Sequence, residues 1–415
     1  QAARKAGMAV VCAGLPEMDE VEGLDRECLR LPDAHNTLIE AVAKVCPRVV
    51  VVLSNGAPVE MPWEGQVGAI LEGYLGGQAG AGALADILLG LANPCGKLAE
   101  SFPLRLEDNP SFHSFPGGPR TVEYRESIYV GYRYYDKAGK DVLYPFGHGL
   151  SYTRFEYSNL TLENSFIQTG GNLKLSFSIK NTGDRKGKEI AQVYVRDARC
   201  SVFRPDKELA GFAKIELDAG ETKTMEIELD TRSFAFYSPA RGAWTAEPGE
   251  FEILVGASSR DIRLSAVARL SGEEPSYSDS IPPDLDQYFS PSADGDFSAR
   301  GFECLLGRPL PDNSPEAPGG FTLNTPMLDM RGTLVGRILR GYTEREVKKL
   351  TAGFEDTPNA LMMRKMVAEG PLRLMLMSAG GQINRGMLEG LLMLLNGKPL
   401  RGLFRLLQAR KALSR

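Results

Sequence analysis

The sequence lacks the features that mark several large classes of protein. It has no run of roughly eighteen apolar residues, so we expect no membrane-spanning helix. Its six cysteines are scattered and none forms a C-x-x-C pair, which argues against a zinc site and against a disulfide framework. Reduced thiols are typical of the cytoplasm, so we expect a cytoplasmic rather than a secreted protein. No cofactor and no metal site is predicted.

The chain also lacks an excess of positive charge and a leader segment. Its 415 residues carry a net charge of −5, which gives no reason to expect nucleic acid as a partner. It starts QAARKAGMAVV, without Met and without a charged segment followed by an apolar one. We therefore expect the natural N-terminus to lie upstream, so that the missing signal peptide says little about secretion.

The charge is divided unevenly along the chain. Residues 331–415 contain sixteen Lys and Arg against six Asp and Glu, so this tail is basic and the remainder is acidic. Its helical segments are amphipathic, and 402–412 (GLFRLLQARKA) is the clearest case. Such a tail packs against an acidic body, joins a second copy in a homo-oligomer, or lies on an anionic membrane surface.

Residues 1–150 predict a parallel α/β sheet. Three short apolar runs alternate with helical stretches, and strands that are apolar on both faces are typical of a sheet covered on both sides. The predicted strands are 8–14, 48–53 and 69–75, and the predicted helices are 36–45 and 83–91. Three strands are few for such a sheet, which favours further chain upstream.

Three different patterns follow. Residues 155–272 alternate apolar and polar side chains in several short runs, which predicts a β-sandwich. Residues 273–297 are rich in Ser, Pro and Asp and predict a linker. Residues 298–415 have helical periodicity and predict a small α-helical module. A chain of this length is expected to form two or three domains.

An acidic loop follows the first predicted strand. It contains Glu20, Glu22, Gly23, Asp25 and Arg26. Loops at the carboxyl ends of parallel strands are where α/β sheets place their sites, and a carboxylic acid there can serve as a general acid. Acidic loops are more often simply solvated.

Several motifs in a fixed order resemble family 3 glycoside hydrolases of the β-glucosidase type. They cover residues 8 to about 270. These are E-G-x-D-R at 22–26, VVVLSNGAPVEMPW at 50–63, YLGGQAGAGALADILLGLANPCGKLAESFP at 74–103, YVGYRYY at 129–135, YPFGHGLSYTRF at 144–155, and RPDKELAGFAKIEL at 204–217. The resemblance implies the C-terminal α/β sandwich domain of that family, followed by its fibronectin type III-like domain.

The resemblance also implies a mechanism. In a retaining glycosidase an Asp nucleophile attacks the anomeric carbon while a Glu protonates the leaving oxygen and later activates water. Glu22 matches the position of that Glu, and Asp25 and Arg26 match residues that support its loop, which suggests an ion pair between them. Glu17 and Asp19, like Glu20, lie in the same loop and stay alternatives to Glu22.

Other parts of the family pattern are absent from this sequence. The nucleophile motif, Asp followed by Trp, does not occur, since Trp63 follows Pro and Trp244 follows Ala. The resemblance implies that the nucleophile and most sugar contacts belong to a (β/α)8 barrel upstream, so the chain alone is expected to be an inactive fragment. Glucose is the expected sugar, with xylose, N-acetylglucosamine and arabinose as alternatives.

The competing hypothesis is a non-catalytic accessory or assembly module that contacts carbohydrate or a membrane surface. Three further features have structural explanations that we favour. The tyrosines of 129–135 pack between domains rather than stack on a sugar, His148 is structural, and the glycines of 76–82 fit no nucleotide-binding motif. The 204–208 loop is a more remote candidate for reaching the sugar site.

Overall fold

The computed structural model describes residues 1–168, 170–271, 283–378 and 381–413. They form two compact units. The first contains Gln1–Gly14, Cys28–Phe115 and Glu123–Leu310, and the second contains Leu15–Glu27, Pro116–Val122 and Pro311–Arg415. The acidic loop thus belongs to the same unit as the C-terminal helices and not to the unit of the strand that precedes it.

The first unit begins with a three-stranded parallel sheet in the order β1-β2-β3. The strands are β1 (Ala9–Gly14), β2 (Val49–Ser54) and β3 (Ala69–Glu72), and the helices of this region are α1 (Ala2–Ala6), α2 (Asp33–Ala43) and α3 (Gly80–Leu88). The three strands and the helices α2 and α3 lie within a few residues of their predicted positions. The predicted parallel α/β sheet is therefore confirmed.

Close packing holds the end of β1 against β2. Gly14 pairs with Ser54, and a Cβ on Gly14 would lie 2.1 Å from the Ser54 carbonyl oxygen, so only glycine fits there. Trp63 is fully buried, and its indole N–H donates to Asn36 Oδ1 at 2.8 Å. These contacts tie β2 and the segment after it to α2.

A short antiparallel pair follows the sheet. It consists of β4 (Phe102–Pro103) and β5 (Val142–Tyr144), and α4 (Tyr132–Lys137) lies between them in the chain. Three tyrosines of 129–135 are buried, since Tyr129 and Tyr134 are fully inaccessible and Tyr135 is 3% exposed. Their packing role, predicted above in preference to sugar stacking, is what the structure shows.

The next part of the first unit is a β-sandwich. One sheet has the order β10-β9-β14-β15-β7, the other has the order β11-β8-β6, and β12 and β13 form a separate hairpin. The strands are β6 (Phe155–Leu162), β7 (Phe166–Gln168), β8 (Leu173–Asn181), β9 (Gly187–Asp197), β10 (Glu208–Leu217), β11 (Thr222–Leu229), β12 (Phe236–Ser238), β13 (Ala243–Thr245), β14 (Gly249–Gly256) and β15 (Ile262–Ser271). Their inward side chains form one apolar core that includes Phe177, Val193 and Phe251. The predicted sandwich is confirmed.

Buried ion pairs join the sandwich to the preceding α/β part within the first unit. Lys97 lies 3.0 Å from Glu189, and Lys207 lies 2.9 Å from Asp136, with all four side chains largely inaccessible. Asp136 also accepts from the Arg260 guanidinium at 2.8 Å. Removing one partner of such a pair leaves an unpaired buried charge, which is strongly destabilising. An arrangement of the two parts that separated these pairs would therefore be unfavourable.

The predicted linker at 273–297 does not hold for the residues that the structure describes there. Residues 272–282 lie outside the described chain, but Tyr288 and Phe297 are buried and pack with the tyrosines of 129–135. This stretch contains α5 (Asp286–Phe289), and α6 (Ala299–Leu306) follows it in the same unit. Tyr288 and Phe297 give this segment an apolar surface that packs, although most of its residues are polar. The C-terminal segment of the second unit is Pro311–Arg415, and the predicted boundary at 298 stays a prediction.

The second unit carries the predicted C-terminal helices. They are α7 (Leu334–Leu350), α8 (Pro358–Glu369), α9 (Met375–Ser378), α10 (Arg385–Leu395) and α11 (Pro399–Leu413). Thr333, Thr357 and Asn384 accept from backbone N–H groups at the starts of α7, α8 and α10, as helix N-caps do. Phe321, Met330, Leu372, Leu388 and Leu395 form the core of this unit. The predicted helical module is confirmed.

Helices α10 and α11 pack at van der Waals distance through glycines. A Cβ on Gly390 would lie 2.7 Å from Leu406 Cγ, and a Cβ on Gly402 would lie 2.8 Å from the Gly390 carbonyl oxygen. This contact buries Gly402 and Ala409 on one side of α11. Within the described residues, none of the helices has the length and apolar composition needed to cross a bilayer.

Candidate active site

The acidic loop folds into two consecutive turns after β1. The N–H of Asp19 donates to the Pro16 carbonyl at 2.8 Å, and the N–H of Leu24 donates to the Val21 carbonyl at 3.2 Å. In the second turn Gly23 has φ +80°, a conformation that glycine adopts without the strain of a side chain. Glu22 therefore occupies the first central position of a turn whose next residue has to be Gly.

The carboxylate of Glu22 is presented outward from this turn. Val21 is buried and anchors the turn, whereas Glu22 and Asp25 are exposed and Arg26 is half-buried. Glu17 and Asp19 are exposed as well, so exposure alone does not separate Glu22 from its neighbours. The structure brings the predicted site residues into one short segment. The ion pair between Asp25 and Arg26 stays a prediction.

A second group of polar side chains lies at the carboxyl ends of β2 and β3 in the first unit. Asn55 is fully buried, and its amide donates to the Ala57 carbonyl at 2.9 Å and to Glu72 at 3.3 Å. Glu72 also accepts from the Tyr74 N–H at 2.8 Å, and the Tyr74 hydroxyl donates to Glu100 at 3.2 Å. This group was not predicted from the sequence, although Asn55 follows β2 directly and Glu72 is the last residue of β3.

Burial dominates the electrostatics of that group. It raises the pKa of the Glu100 carboxyl, and the hydrogen bond from Tyr74 opposes the shift only in part. It also raises the pKa of the Tyr74 hydroxyl, helped by the negative charges of Glu100 and Glu72. Tyr74 itself has φ +45°, an uncommon value for a residue with a side chain. The Tyr74 hydroxyl therefore stays a donor at neutral pH and holds Glu100 in place.

The more remote candidates have structural roles. Arg204 is buried and donates to Glu208 at 2.9 Å and to the Phe234 carbonyl at 3.0 Å, so its loop is tied into the sandwich. The His148 ring stacks on Tyr144 at 5.0 Å, and burial, reinforced by the nearby Lys97 cation, lowers its pKa. In the part of the chain that the structure describes, no three or more His, Cys, Asp or Glu side chains cluster as a metal site would require.

Two protein-family models match the chain. Residues 1–152 match the glycosyl hydrolase family 3 C-terminal domain, and residues 189–259 match the fibronectin type III-like domain. The first match covers the parallel sheet and the acidic loop, and the second lies inside the β-sandwich.

Curated relatives and solved structures agree with these matches. The chain is 52% identical to thermostable beta-glucosidase B of Acetivibrio thermocellus over 65% of its own length and 36% of the relative's. It is 44% identical to an exo-alpha-(1->6)-L-arabinopyranosidase of Bifidobacterium breve over 66% of its length and 36% of the relative's. A crystal structure of a GH3 beta-glucosidase from Bifidobacterium adolescentis superposes with a TM-score of 0.63 at 40% identity, covering 70% of this chain and 43% of that one.

The chain thus spans little more than a third of the length of the curated relatives described here. The two family-model matches lie within residues 1–259, which hold the parallel sheet and most of the β-sandwich. The chain contains the C-terminal domain of a family 3 glycosyl hydrolase, followed by a fibronectin type III-like domain.

Proposed function

We propose that this chain is part of a retaining β-glucosidase in which Glu22 is the general acid and base. The observation that carries the proposal is the glycine-dependent turn of Val21–Leu24, which presents the Glu22 carboxylate within the family 3 domain. Asp25 and Arg26 support the loop in this proposal.

The chemistry requires a second carboxylate. Glu22 donates its proton to the glycosidic oxygen while an Asp from an upstream barrel attacks the anomeric carbon and forms the glycosyl-enzyme. Glu22 then takes a proton from the water that hydrolyses this intermediate. In retaining enzymes the two carboxyl groups lie roughly 5–5.5 Å apart. The proposed substrate is a terminal β-linked sugar, with glucose as the expected residue.

The test compares substrates with good and poor leaving groups in the full-length protein. Replacing Glu22 by Ala should lower kcat/KM for alkyl β-glucosides by about 10²–10⁴. The loss on dinitrophenyl β-glucoside should be much smaller, because that leaving group departs without a proton. Asp19→Ala is the matched control, since Asp19 is exposed in the same loop. An unchanged alkyl glucoside rate in Glu22→Ala would reject the assignment.

The same comparison decides between the neighbouring acids. Glu17→Ala and Glu20→Ala should keep the rate on alkyl glucosides within about twofold of the native protein, because neither is proposed to transfer the proton. If one of them shows the leaving-group-dependent loss instead of Glu22, the acid lies at that position. If none of the loop variants shows it, the non-catalytic accessory role becomes the better description.

We also propose that α11 contacts an anionic lipid surface. Leu400 and Phe404 are 84% and 71% exposed, and with Leu403 and Leu407 they form an apolar stripe opposite the face that packs on α10. Arg and Lys flank the stripe, and α11 contains no acidic residue. An exposed apolar stripe between cations is typical of helices that lie in the membrane interface.

Vesicle binding tests this contact. The protein should co-sediment with vesicles that contain anionic lipid and not with neutral vesicles, and Phe404→Glu should abolish binding. A matched control is Gln408→Glu, which adds the same charge to α11 outside the stripe. A concentration-dependent dimer that Phe404→Glu dissociates, without binding to vesicles, would assign the stripe to a homo-oligomer instead.

The proposed compartment is the cytoplasm. All six cysteines lie in the described residues and all are free, which supports a reducing environment. Thiol titration of the denatured protein purified without reductant and with alkylation at lysis should give six reactive thiols. Fewer would indicate disulfides and a different compartment.

A further inference from the structure

The C-terminal helical module and the Glu22 loop belong to one compact unit, although more than 280 residues separate them in the chain. The third member of that unit is a short segment, Pro116–Val122. Neither family model covers the helical module, since the matches end at residues 152 and 259. The loop that holds the proposed acid is therefore grouped with a part of the protein that neither family model covers.

The side chain of Asn313 holds the short segment. Its Oδ1 accepts from the backbone N–H groups of Arg120 and Thr121, both at 2.9 Å, and its Nδ2 donates to the Thr121 carbonyl at 3.3 Å. A Cβ on Gly118 would lie 2.0 Å from Asn313 Nδ2, so Gly118 allows this close approach. One asparagine thus closes three hydrogen bonds to the backbone of a distant segment.

Residues close to Asn313 in the chain link its hydrogen bonds to the apolar core of the helical module. Glu316 lies 3.9 Å from the Arg120 guanidinium and accepts a hydrogen bond from Thr325. The Thr325 carbonyl in turn accepts from the N–H of Leu372 at 3.1 Å, and Leu372 is fully buried in the core of the unit. Because Arg120 is largely exposed, its ion pair adds little, and the hydrogen bonds of Asn313 carry the contact.

The Glu22 turn has a main-chain closure and a buried anchor. The N–H of Leu24 donates to the Val21 carbonyl, and the buried Val21 side chain anchors the turn. A proton donor has to be held within a few tenths of an ångström of its working position, and a misplacement of about 1 Å can cost 10²-fold in rate. The other segments of its compact unit are the parts of the protein that we expect to supply further restraint.

We propose that the C-terminal helical module positions the Glu22 loop, and that Asn313 is the positioning residue, because it fastens segment 116–122 of the same compact unit. The inference rests on the proposed role of Glu22. Asn313 touches neither substrate nor reacting atoms, and it acts by fixing the backbone of the compact unit in which the acid lies.

Hydrogen exchange in this chain tests the coupling without any assay of activity. Asn313→Ala should speed exchange of the Leu24 amide by about tenfold, a loss of about 1.4 kcal/mol of local protection, while the Val51 amide in β2 stays unchanged. Asn324→Ala is the matched control, because Asn324 is exposed in the same unit. Asn313→Asp keeps the Oδ1 acceptor and should retain most of the protection. If the folded Asn313→Ala variant exchanges its Leu24 amide at the native rate, the proposal is wrong.

Kinetics in the full-length protein separates this inference from the proposed function. Asn313→Ala should lower kcat/KM for alkyl β-glucosides by about tenfold or more and leave dinitrophenyl β-glucoside within about twofold, because only the first needs proton donation. An equal loss on both substrates would mean general damage and would overturn the positioning role. If Glu22→Ala shows the leaving-group-dependent loss and Asn313→Ala does not, only the positioning inference fails. If Glu22→Ala has no effect, the proposed function fails first.

Discussion

The packing of Tyr288 predicts a large loss of stability when its ring is removed. Tyr288 is fully buried, and its ring centroid lies 5.5 Å from that of Phe297 and 5.1 Å from that of Phe203. Its hydroxyl donates to the Arg125 carbonyl at 2.9 Å. The perturbation that tests this packing is Tyr288→Ala, with Tyr288→Phe to remove the hydroxyl alone.

The expected magnitudes follow from these contacts. Removing a buried aromatic ring costs about 3–5 kcal/mol in free energy of unfolding. The lost hydrogen bond adds about 1 kcal/mol, so Tyr288→Ala should lose about 4–6 kcal/mol and Tyr288→Phe about 0.5–1.5. Tyr124→Ala is the control, because Tyr124 is exposed in the same unit and its substitution should cost about 0.5 kcal/mol or less.

Hydrogen exchange is the appropriate assay, because a chain with several domains does not unfold in one two-state step. The amides of α4 and α5 should lose protection by the amounts given above, while those of α10 should not change. If Tyr288→Ala lowers protection by no more than Tyr124→Ala does, residues 283–297 behave as an unpacked linker and the reasoning from burial is wrong.

Two further predictions concern packing and pH. Gly390→Ala should lower the stability of the helical unit by about 1–3 kcal/mol, because the new Cβ would lie 2.7 Å from Leu406 Cγ. Gly341 lies in open space on α7, so Gly341→Ala should raise the stability of the unit by about 0.5–1 kcal/mol. Thermal unfolding of the two variants tests both predictions. Burial lowers the pKa of His148 below its usual 6.5, so folding disfavours its protonation and stability is lost as pH falls through about 6.5. Denaturant titrations from pH 7 to 5 should therefore show a smaller decline in His148→Gln than in the native chain, and parallel declines would contradict the assignment.

Local patterns predicted most of the secondary structure. The apolar runs that predicted β1 and β2 lie within one residue of the observed bounds, and β8 and β11 lie in the stretch of alternating runs at 155–272. These elements are fixed by periodicity over a few residues, which a single sequence displays directly. The domain borders predicted at 150, 155 and 272 stay predictions.

Contacts between distant residues were not predictable in the same way. Tyr288 and Phe297 stand among polar residues, and the tyrosines of 129–135 that pack with them lie more than 150 positions earlier in the chain. Composition therefore predicted a linker where the three-dimensional structure has a buried aromatic cluster. For the same reason, the hydrogen bonds of Asn313 could not be predicted, because Asn313 binds the backbone of Thr121, 192 positions earlier in the chain.

The candidate site was predicted in part. The bare residues of the acidic loop indicated only a solvated acidic turn, and the resemblance to a family selected Glu22 within it. The glycine at position 23 was a readable signal, because φ +80° explains why it follows Glu22. The Tyr74–Glu100 hydrogen bond was missed, since it joins residues 26 positions apart whose proximity depends on the sheet.

The product formed in azide tests most directly whether Glu22 is the acid and base. In Glu22→Ala the glycosyl-enzyme formed from dinitrophenyl β-glucoside lacks a base to activate water, but azide attacks it without one. We predict that the full-length variant converts this substrate to β-glucosyl azide with retained configuration, at a rate that rises with azide concentration, whereas Asp19→Ala gives glucose. Glucose as the sole product of Glu22→Ala, at the native rate, would contradict the assignment.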